Sequence, residues 1–324
     1  EFDTEEFEVA VVLSVGGTTV RLSAPLQFTH WGATEGAQFD GVGVEERAEV
    51  GLLTHNIVVQ GDPAAFDPST GKHTGGQTRL HEPGMSAPRA CIDGVEFRYL
   101  GDEEVLGRYP LHFHMLDDGS QSYVRNSSVH ECFNRWISVH MTDGVTIEDN
   151  VGFDTIGHGY YIEDATVTGV TFAHNLGVRV RSVDQGAGLH NDDLPAVFWL
   201  VHPDNTVVDN AAAGADAYGF WFDADAFEAQ PWTQFARNVA HSNGEIGFMG
   251  NKRPAPLPVS VFSDCLAYKN RRYGYWLRSY SNARLVNCDS ADNRGGYYLA
   301  SEGYQTDPLG RDGIGVMTLE DSLV

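Results

Sequence analysis

The sequence predicts an all-β protein, a right-handed parallel β-helix with an N-terminal segment rich in β-hairpins. Short β-branched strands recur along the chain, and each unit carries an Asn or Asp near the same place. Successive markers are separated by 24, 25, 35, 28, 26, 23 and 34 residues, which is the range of stacked repeats. An immunoglobulin-like sandwich would instead need a turn roughly every 8–12 residues. The markers are Asn126, Asn150, Asn175, Asn210, Asn238, Asp264, Asn287 and Asp321.

We expect these markers to occupy equivalent turns of successive coils. Asn tolerates left-handed backbone geometry, and side-chain amides can bond along such a stack. Each coil buries its inward residues only because the next coil covers them, so the repeat predicts one continuous solenoid. The longer separations leave room for loops at residues 182–196 and 301–315.

Residues 1–90 are expected to form an N-terminal β segment and a loop that lead into the solenoid. Residues 7–28 alternate apolar and polar side chains around Gly16-Gly17, which predicts a hairpin. Residues 61–88 are rich in Gly, Pro, Asp, Ser and Thr, which is typical of a loop. The coils then fill residues 91–324, and their strand-like end leads us to expect that the natural chain continues.

Charge and cysteine content limit the classes of partner. The formal net charge of −24 disfavours general binding to nucleic acid or to an anionic membrane. No apolar run reaches the roughly 18 residues that span a bilayer. We therefore expect a monomer that binds no nucleic acid and has no membrane segment in this chain. Cys265 and Cys288 lie one coil apart and could stack in the core or form a disulfide.

Three segments share one internal order of residues and form the centre of the candidate site. They are LHFH (111–114), ISVH (137–140) and YYIE (160–163). Aligning them puts His114, His140 and Glu163 in one register. Because side chains alternate along a strand and adjacent strands lie about 4.8 Å apart, these three should stack on one outward face.

The same alternation extends the alignment to later coils. The inner column is predicted to hold Phe113, Val139, Ile162, Val180, Phe222, Leu277 and Leu299. The neighbouring outer column would hold His114, His140, Glu163, Arg181, Asp223, Arg278 and Ala300. A second outer column would hold His112, Ser138, Tyr161, Arg179, Trp221, Trp276 and Tyr298, and a strand over 77–82 would add Arg79 and His81. Such a stripe suits an extended polysaccharide, although any solvated sheet also carries polar outward residues.

The role of the stacked cluster stays open between three readings. His114, His140, Glu163 and His158 could hold a divalent metal ion, either Zn or Ca. The same groups could instead form an acid/base cluster or a structural polar ladder. Further titratable residues collect around this stretch: Arg108, Arg135, Asp154, His158 and Asp164.

Several runs of the sequence resemble one known family. They are RAEVGLLTHNIVVQGD (47–62), GRYPLHFHM (107–115), NRWISVHMTDGVTIEDNVGFDTIGHGYYIED (134–164), HNLGV (174–178) and DNAAAGADAYGFWFD (209–223). These runs are similar to the cell-migration-inducing and transmembrane hyaluronidases. The resemblance implies an extracellular β-helix protein linked to binding and depolymerising hyaluronan. The residues that match the shared motifs are His112, His114, Arg135, His140, Asp154, His158, Glu163 and Asp164.

The expected function is that of a secreted enzyme that cleaves a glycosaminoglycan-like polysaccharide. Hydrolysis needs one protonated carboxyl and a second carboxylate. Glu163 is the preferred acid, and Asp223 lies roughly 10 Å away on strand spacing, with Asp164 or Asp154 competing. In an elimination reaction, His140 or Tyr161 would instead abstract a proton.

Substrate contacts are expected along both outer columns. The residues are Arg108, His112, Arg135, Tyr161, Arg179, Arg181, Trp221, Trp276, Arg278 and Tyr298. The alternative function is a non-catalytic glycan-binding or adhesion module with a structural metal, and a third reading is a purely structural β-helix.

Overall fold

Short strands stack into three parallel sheets in the computed structural model. The structure describes residues 3–30, 32, 43–81, 89–184, 189, 191–223, 231–253, 259–280, 283–300 and 316–323. Within these ranges each sheet has nine strands, and no helix is present. Each coil gives one strand to each sheet in turn, so a strand pairs with the equivalent strands of the coils before and after it. This arrangement confirms the predicted parallel β-helix.

The three sheets are named by the order in which a coil visits them. Sheet 1 contains Cys91–Asp93, Tyr123–Arg125, Thr146–Glu148, Thr171–Ala173, Thr206–Val208, Gln234–Ala236, Ser260–Ser263, Ala283–Val286 and Met317–Glu320. Sheet 2 contains Ile57–Gln60, Val95–Arg98, Ser128–His130, Val151–Ile156, Leu176–Arg181, Ala211–Ala213, Val239–His241, Leu266–Tyr268 and Asp289–Ala291. Sheet 3 contains Thr78–His81, Leu111–Asp118, Ile137–Asp143, Tyr160–Ile162, Ala196–Leu200, Tyr218–Asp223, Ile246–Arg253, Tyr273–Tyr280 and Gly295–Ala300.

The N-terminal part contributes both hairpins and the first strands of the sheets. Val12–Gly16 pairs antiparallel with Thr19–Leu22, as predicted around Gly16-Gly17. A second small hairpin joins Phe66–Asp67 to Lys72–His73. Because sheets 2 and 3 each begin with a strand that precedes residue 91, the stacked sheets extend into the predicted N-terminal segment. The predicted loop at 301–315 lies outside the described residues.

A ladder of aromatic rings fills the interior behind sheet 3. Neighbouring rings are nearly parallel, with centroids 4.7–5.0 Å apart. This spacing equals the separation of adjacent strands, so each coil adds one ring to the stack. The members are Tyr160, Phe198, Phe220, Phe248, Tyr275 and Tyr297.

Asparagine amides form a second buried ladder between sheets 1 and 2. Asn150 donates through Nδ2 to Asn175 Oδ1, Asn175 to Asn210 and Asn210 to Asn238, each at 3.0 Å. These four markers therefore bond along the stack, as predicted. The residue before each of them takes the left-handed conformation.

The other four markers occupy that left-handed position themselves. Asn126, Asp264, Asn287 and Asp321 have φ between 48° and 55°. The ladder position of those coils falls to the next residue, which is Ser127, Cys265, Cys288 or Ser322. Cys265 and Cys288 thus replace Asn in the ladder, where they are buried free thiols. Burial raises the pKa of Cys265 well above its ordinary value.

Alternation along the sequence placed one coil of the predicted columns in the wrong sheet. Val180 pairs with Thr155 in sheet 2, so Arg179 and Arg181 do not continue the columns of sheet 3. In that coil the sheet 3 strand follows the loop after residue 181, and Trp199 pairs with Tyr161. Strands of both sheets alternate apolar and polar residues, so alternation alone could not tell them apart. The columns also omitted the coil that contains Ile246–Arg253.

Candidate functional site

The three aligned segments lie side by side in sheet 3 in the predicted register. His140 pairs with His114, and Val139 pairs with Ile162, which places Glu163 next to His140 in the column. The backbone NH of Glu163 donates to Val139 O at 2.9 Å. His81 pairs with His114 from the preceding strand, as the segment 77–82 predicted.

Three imidazoles converge at this point of the sheet. His112, His114 and His140 each offer a ring nitrogen, and these nitrogens all lie within 4.8 Å of one another. His114 Nδ1 and His140 Nδ1 are 3.0 Å apart. Among the described residues this is the one cluster of such geometry. We refer to these three residues as the imidazole cluster.

His112 is the buried member of the imidazole cluster. Its side chain is 1% exposed, and Nδ1 lies 3.2 Å from Gly107 O. Nε2 has no hydrogen-bond partner and lies 3.6 Å from Glu163 Oε2. Burial, and then the charge of nearby His114, lower the pKa of His112 to about 3, so the ring is neutral at physiological pH.

Glu163 is held beside the cluster by two hydroxyl groups. Ser138 Oγ donates to Oε2 at 3.2 Å, and the Tyr109 hydroxyl donates to Oε1 at 3.5 Å. Burial raises the pKa of Tyr109 to about 12, so its hydroxyl stays protonated. The Glu163 side chain remains 17% exposed. Tyr109 was missed from the sequence because it lies in the turn before the strand, where alternation does not fix its direction.

Asp164 lies at the edge of the cluster. Its Oδ2 accepts from the Met141 NH at 2.9 Å and lies 3.8 Å from His140 Nε2. Its Oδ1 accepts from the Thr166 hydroxyl at 2.6 Å.

Arg108 is exposed and lies 3.9 Å from Asp102, on the turn that leads into the strand Leu111–Asp118.

Arg135 and Tyr161 are buried beneath the outer surface, which corrects their predicted contact with substrate. Arg135 is 1% exposed, and its Nη2 donates to Asp192 Oδ1 at 2.9 Å. Its guanidinium lies 3.8 Å from the centroid of the Tyr161 ring and donates to the Tyr109 hydroxyl at 3.3 Å. A polysaccharide cannot reach either side chain without displacing this layer. Arg135 is thus held by contacts within the protein, to Asp192 and Tyr109.

His158 lies in this buried layer and outside the imidazole cluster. The Ala196 NH donates to its Nδ1 at 2.9 Å, and Nε2 is 3.5 Å from Asp192 Oδ1. Its ring packs against Trp199. His158 therefore binds the backbone at Ala196. The metal prediction required it to lie with His114 and His140, and it does not.

Asp154, Arg179 and Arg181 form a separate cluster on sheet 2. Arg179 Nη1 and Arg181 Nε donate to the two carboxylate oxygens of Asp154 at 2.7 and 2.6 Å. The structure therefore does not bring them together with Glu163. The wrong sheet assignment of this coil explains the misplacement.

The remaining predicted residues lie further along sheet 3. Trp221 is buried against Trp199 and Tyr218. Trp276 and Tyr298 are half-buried and stack with ring centroids 3.9 Å apart. Asp223 lies two coils beyond Glu163, and exposed Arg278 follows two coils later. The aromatic column is thus accessible at its far end and covered in the middle.

Comparison with known proteins gives a consistent family match. The family model described as CEMIP beta-helix matches residues 73–248. Mouse Fibrocystin-L is 34% identical over an alignment that covers 76% of this chain and 7% of the relative. Mouse cell migration-inducing and hyaluronan-binding protein is 30% identical, covering 93% of this chain and 27% of the relative. Human cell surface hyaluronidase CEMIP2 is 28% identical with the same coverage.

The chain spans about a quarter or less of the length of these relatives. The matched residues 73–248 contain the imidazole cluster, Glu163 and Asp223. In the described residues, no helix is long and apolar enough to cross a membrane.

Proposed function

Because the chain belongs to the CEMIP beta-helix family, we propose that it is a secreted, monomeric enzyme that hydrolyses a glycosaminoglycan-like polysaccharide. Relatives named cell surface hyaluronidase and hyaluronan-binding protein make hyaluronan the first substrate to test. The observation that carries this proposal is the setting of Glu163. Its carboxyl is fixed by two hydroxyl donors, lies beside neutral His112, and still reaches solvent.

Glu163 is the proposed general acid. General acid catalysis needs a carboxyl held within hydrogen-bond reach of the glycosidic oxygen. Tyr109 and Ser138 fix the two oxygens, so the carboxyl is presented to the glycosidic oxygen in one orientation. Tyr109 is in turn held by Arg135, which is a positioning residue in this scheme.

Asp223 is the proposed partner carboxylate. It lies two coils from Glu163 in the same column, so strand spacing separates the two by about 10 Å. Inverting glycosidases hold their carboxyls about 6.5–9.5 Å apart, and modest side-chain movement covers the difference. Asp164 is the competing partner, because it lies directly beside the cluster. Asp154 is less suited, since two arginines already neutralise it.

The polysaccharide is proposed to run along sheet 3. Trp276 and Tyr298 offer ring faces to sugars at the far end, and Arg278 and Arg108 offer exposed cations to uronate groups. A chain this acidic needs such local cations for a polyanionic ligand.

The test is release of reducing ends from hyaluronan by the purified chain. Glu163→Gln should slow release by at least about 100-fold, because it removes general acid catalysis while keeping the shape of the side chain. The matched control is Glu148→Gln, a half-buried glutamate of sheet 1, which should cleave like the unaltered chain. Equal rates for Glu163→Gln and the unaltered chain would refute the assignment.

Product analysis separates hydrolysis from elimination. Mass spectra of the digest should show saturated oligosaccharides, each heavier by one water than an unsaturated product. An unsaturated, ultraviolet-absorbing product would replace the hydrolase with a lyase. His140 would then be the stronger base candidate, because Tyr161 is covered by Arg135.

A second candidate function is a non-catalytic glycan-binding module. The accessible Trp276–Tyr298 stack favours it, since such a platform binds sugar rings without any chemistry at Glu163. Under this reading, Trp276→Ala weakens retention on immobilised hyaluronan while neither the unaltered chain nor Glu163→Gln releases reducing ends.

A further inference from the structure

We propose that His112, His114 and His140 bind one divalent ion of the zinc, cobalt or copper class. The predicted metal set was His114, His140, Glu163 and His158, so this site differs in two of its members. Neutral imidazole nitrogen suits zinc and copper, whereas calcium prefers oxygen ligands. The site is therefore specific for transition-metal ions and does not depend on the reaction proposed above.

The spacing of the nitrogens fits a shared ion. Zinc–nitrogen bonds are about 2.0–2.1 Å, so two nitrogens on one ion are about 3.0–3.4 Å apart at ordinary bond angles. His114 Nδ1 and His140 Nδ1 already lie 3.0 Å apart. The ligand nitrogen of His112 lies within 4.8 Å of both, a distance that a small rotation of the ring can close.

A second observation that points to a ligand is the unpartnered Nε2 atom of His112. Nδ1 faces Gly107 O at 3.2 Å, so this nitrogen carries the proton and Nε2 keeps its lone pair. Nε2 is buried with no hydrogen bond. A buried polar atom without a partner destabilises the fold, and coordination to an ion would satisfy it. An imidazole that donates its other NH to a backbone carbonyl is also the usual arrangement around metal-bound histidine.

The surrounding charges favour a cation at the cluster. Asp164 Oδ2 lies 3.8 Å from His140 Nε2, where it can accept the NH once Nδ1 binds the ion. Glu163 adds a second carboxylate 3.6 Å from His112 Nε2. The opposing cation is Arg79, which donates to Gly107 O at 3.1 Å. His81 packs against His114 from the strand below.

Glu163 stays outside the proposed ligand set. Its two oxygens are engaged by Ser138 and Tyr109, and it does not share the mutual 4.8 Å spacing of the three imidazoles. The two roles left open by the sequence, metal binding and proton transfer, are thereby divided between neighbouring residues. His140 is 25% exposed, so an ion held there has a route from solvent.

The test is titration of the chelator-treated, dialysed chain with zinc chloride in a calorimeter, in the presence of millimolar calcium. Calcium occupies the acidic surface, so zinc that still binds reports a nitrogen site. We expect one zinc ion per chain and at least about tenfold weaker binding for His112→Phe and for His140→Gln. The control is His174→Gln, an exposed histidine that pairs with Asp149 on the turn between sheets 1 and 2 and should leave zinc binding normal.

The two altered positions keep the outcome interpretable. If His112→Phe fails to fold by circular dichroism, the partly exposed His140→Gln decides. The proposal is overturned if no stoichiometric zinc binding survives calcium, or if both folded variants bind zinc like the unaltered chain. Glu163→Gln should retain zinc binding, so a failed hydrolase assignment and a failed metal assignment give different results.

Discussion

The asparagine ladder and the imidazole cluster are built by the same repeat, yet they differ in how their polar atoms are satisfied. In the ladder, each amide donates to the amide of the next coil and to a backbone carbonyl, as Asn175 does to Asn210 and Ile147. In the imidazole cluster, His114 and His140 meet nitrogen to nitrogen, and buried His112 Nε2 has no hydrogen bond. Among the described residues, the four ladder amides thus have partners for their donors, whereas His112 Nε2 has none.

This difference supports a structural role for the ladder and the functional role that we propose for the cluster. Stacking by itself follows from coil geometry and says nothing about function. A fully satisfied buried network stabilises and specifies the fold. An incompletely satisfied cluster beside a fixed carboxyl is costly for folding and is better explained by a ligand or a reaction.

The largest effect on stability is expected at the buried ion pair of Arg135 and Asp192. Arg135→Met should lower the free energy of unfolding by about 3–5 kcal/mol, because it leaves the buried Asp192 carboxylate without its guanidinium partner. Chemical denaturation monitored by circular dichroism measures this loss. The double variant Arg135→Met, Asp192→Leu should recover part of it, and no recovery would show that the pair does not act as a unit.

A smaller loss is expected from breaking the ladder. Asn175→Ala removes four side-chain hydrogen bonds, which join Asn175 to the backbone NH and the side-chain amide of Asn150, to Ile147 O and to Asn210 Oδ1. This loss should cost about 2–3 kcal/mol. The same denaturation experiment measures it, with exposed Asn56→Ala as the control. Equal stability of the two variants would contradict a structural role for the ladder.

Tyr109→Phe is expected to lower both turnover and stability, because Tyr109 contacts both Glu163 and Arg135. Removing the hydroxyl takes one donor from Glu163 and one acceptor from Arg135, so hyaluronan turnover should fall about tenfold. Stability should fall by about 1 kcal/mol. Turnover that is unchanged in a folded variant would remove Tyr109 from the site.

The smallest effect is expected in the pH dependence of stability at the pair of Glu49 and His241, which lies outside the candidate site. The pKa of Glu49 is lowered because attraction and a hydrogen bond from His241 outweigh the opposing effect of burial. A lowered folded pKa means that the pair stabilises the fold above the ordinary carboxyl pKa of 4.5 and that this contribution is lost as pH falls through the folded value. Glu49→Gln should therefore flatten the acid loss of stability by under about 1 kcal/mol. An unchanged slope would exclude this pair as a source of acid sensitivity.

The repeat and the central register could be predicted from the sequence because both depend on local periodicity. The spacing of Asn markers predicted the coils, and alternation placed His114, His140 and Glu163 together. Alternation could not reveal which sheet a strand joins, so Arg179 and Arg181 were misplaced. It also could not predict that a neighbouring layer would bury Tyr161, because that layer is made by turns and a loop distant in sequence.

The central claim is tested most directly by measuring turnover and stability on the same two variants. Glu163→Gln should lose at least about 100-fold in hyaluronan cleavage while its free energy of unfolding stays within about 0.5 kcal/mol of the unaltered chain. Asn175→Ala should show the reverse, with about 2–3 kcal/mol lost and turnover retained in the folded fraction. If Glu163→Gln cleaves normally, or if both variants lose only stability, the site of Glu163 and the imidazole cluster is as structural as the asparagine ladder.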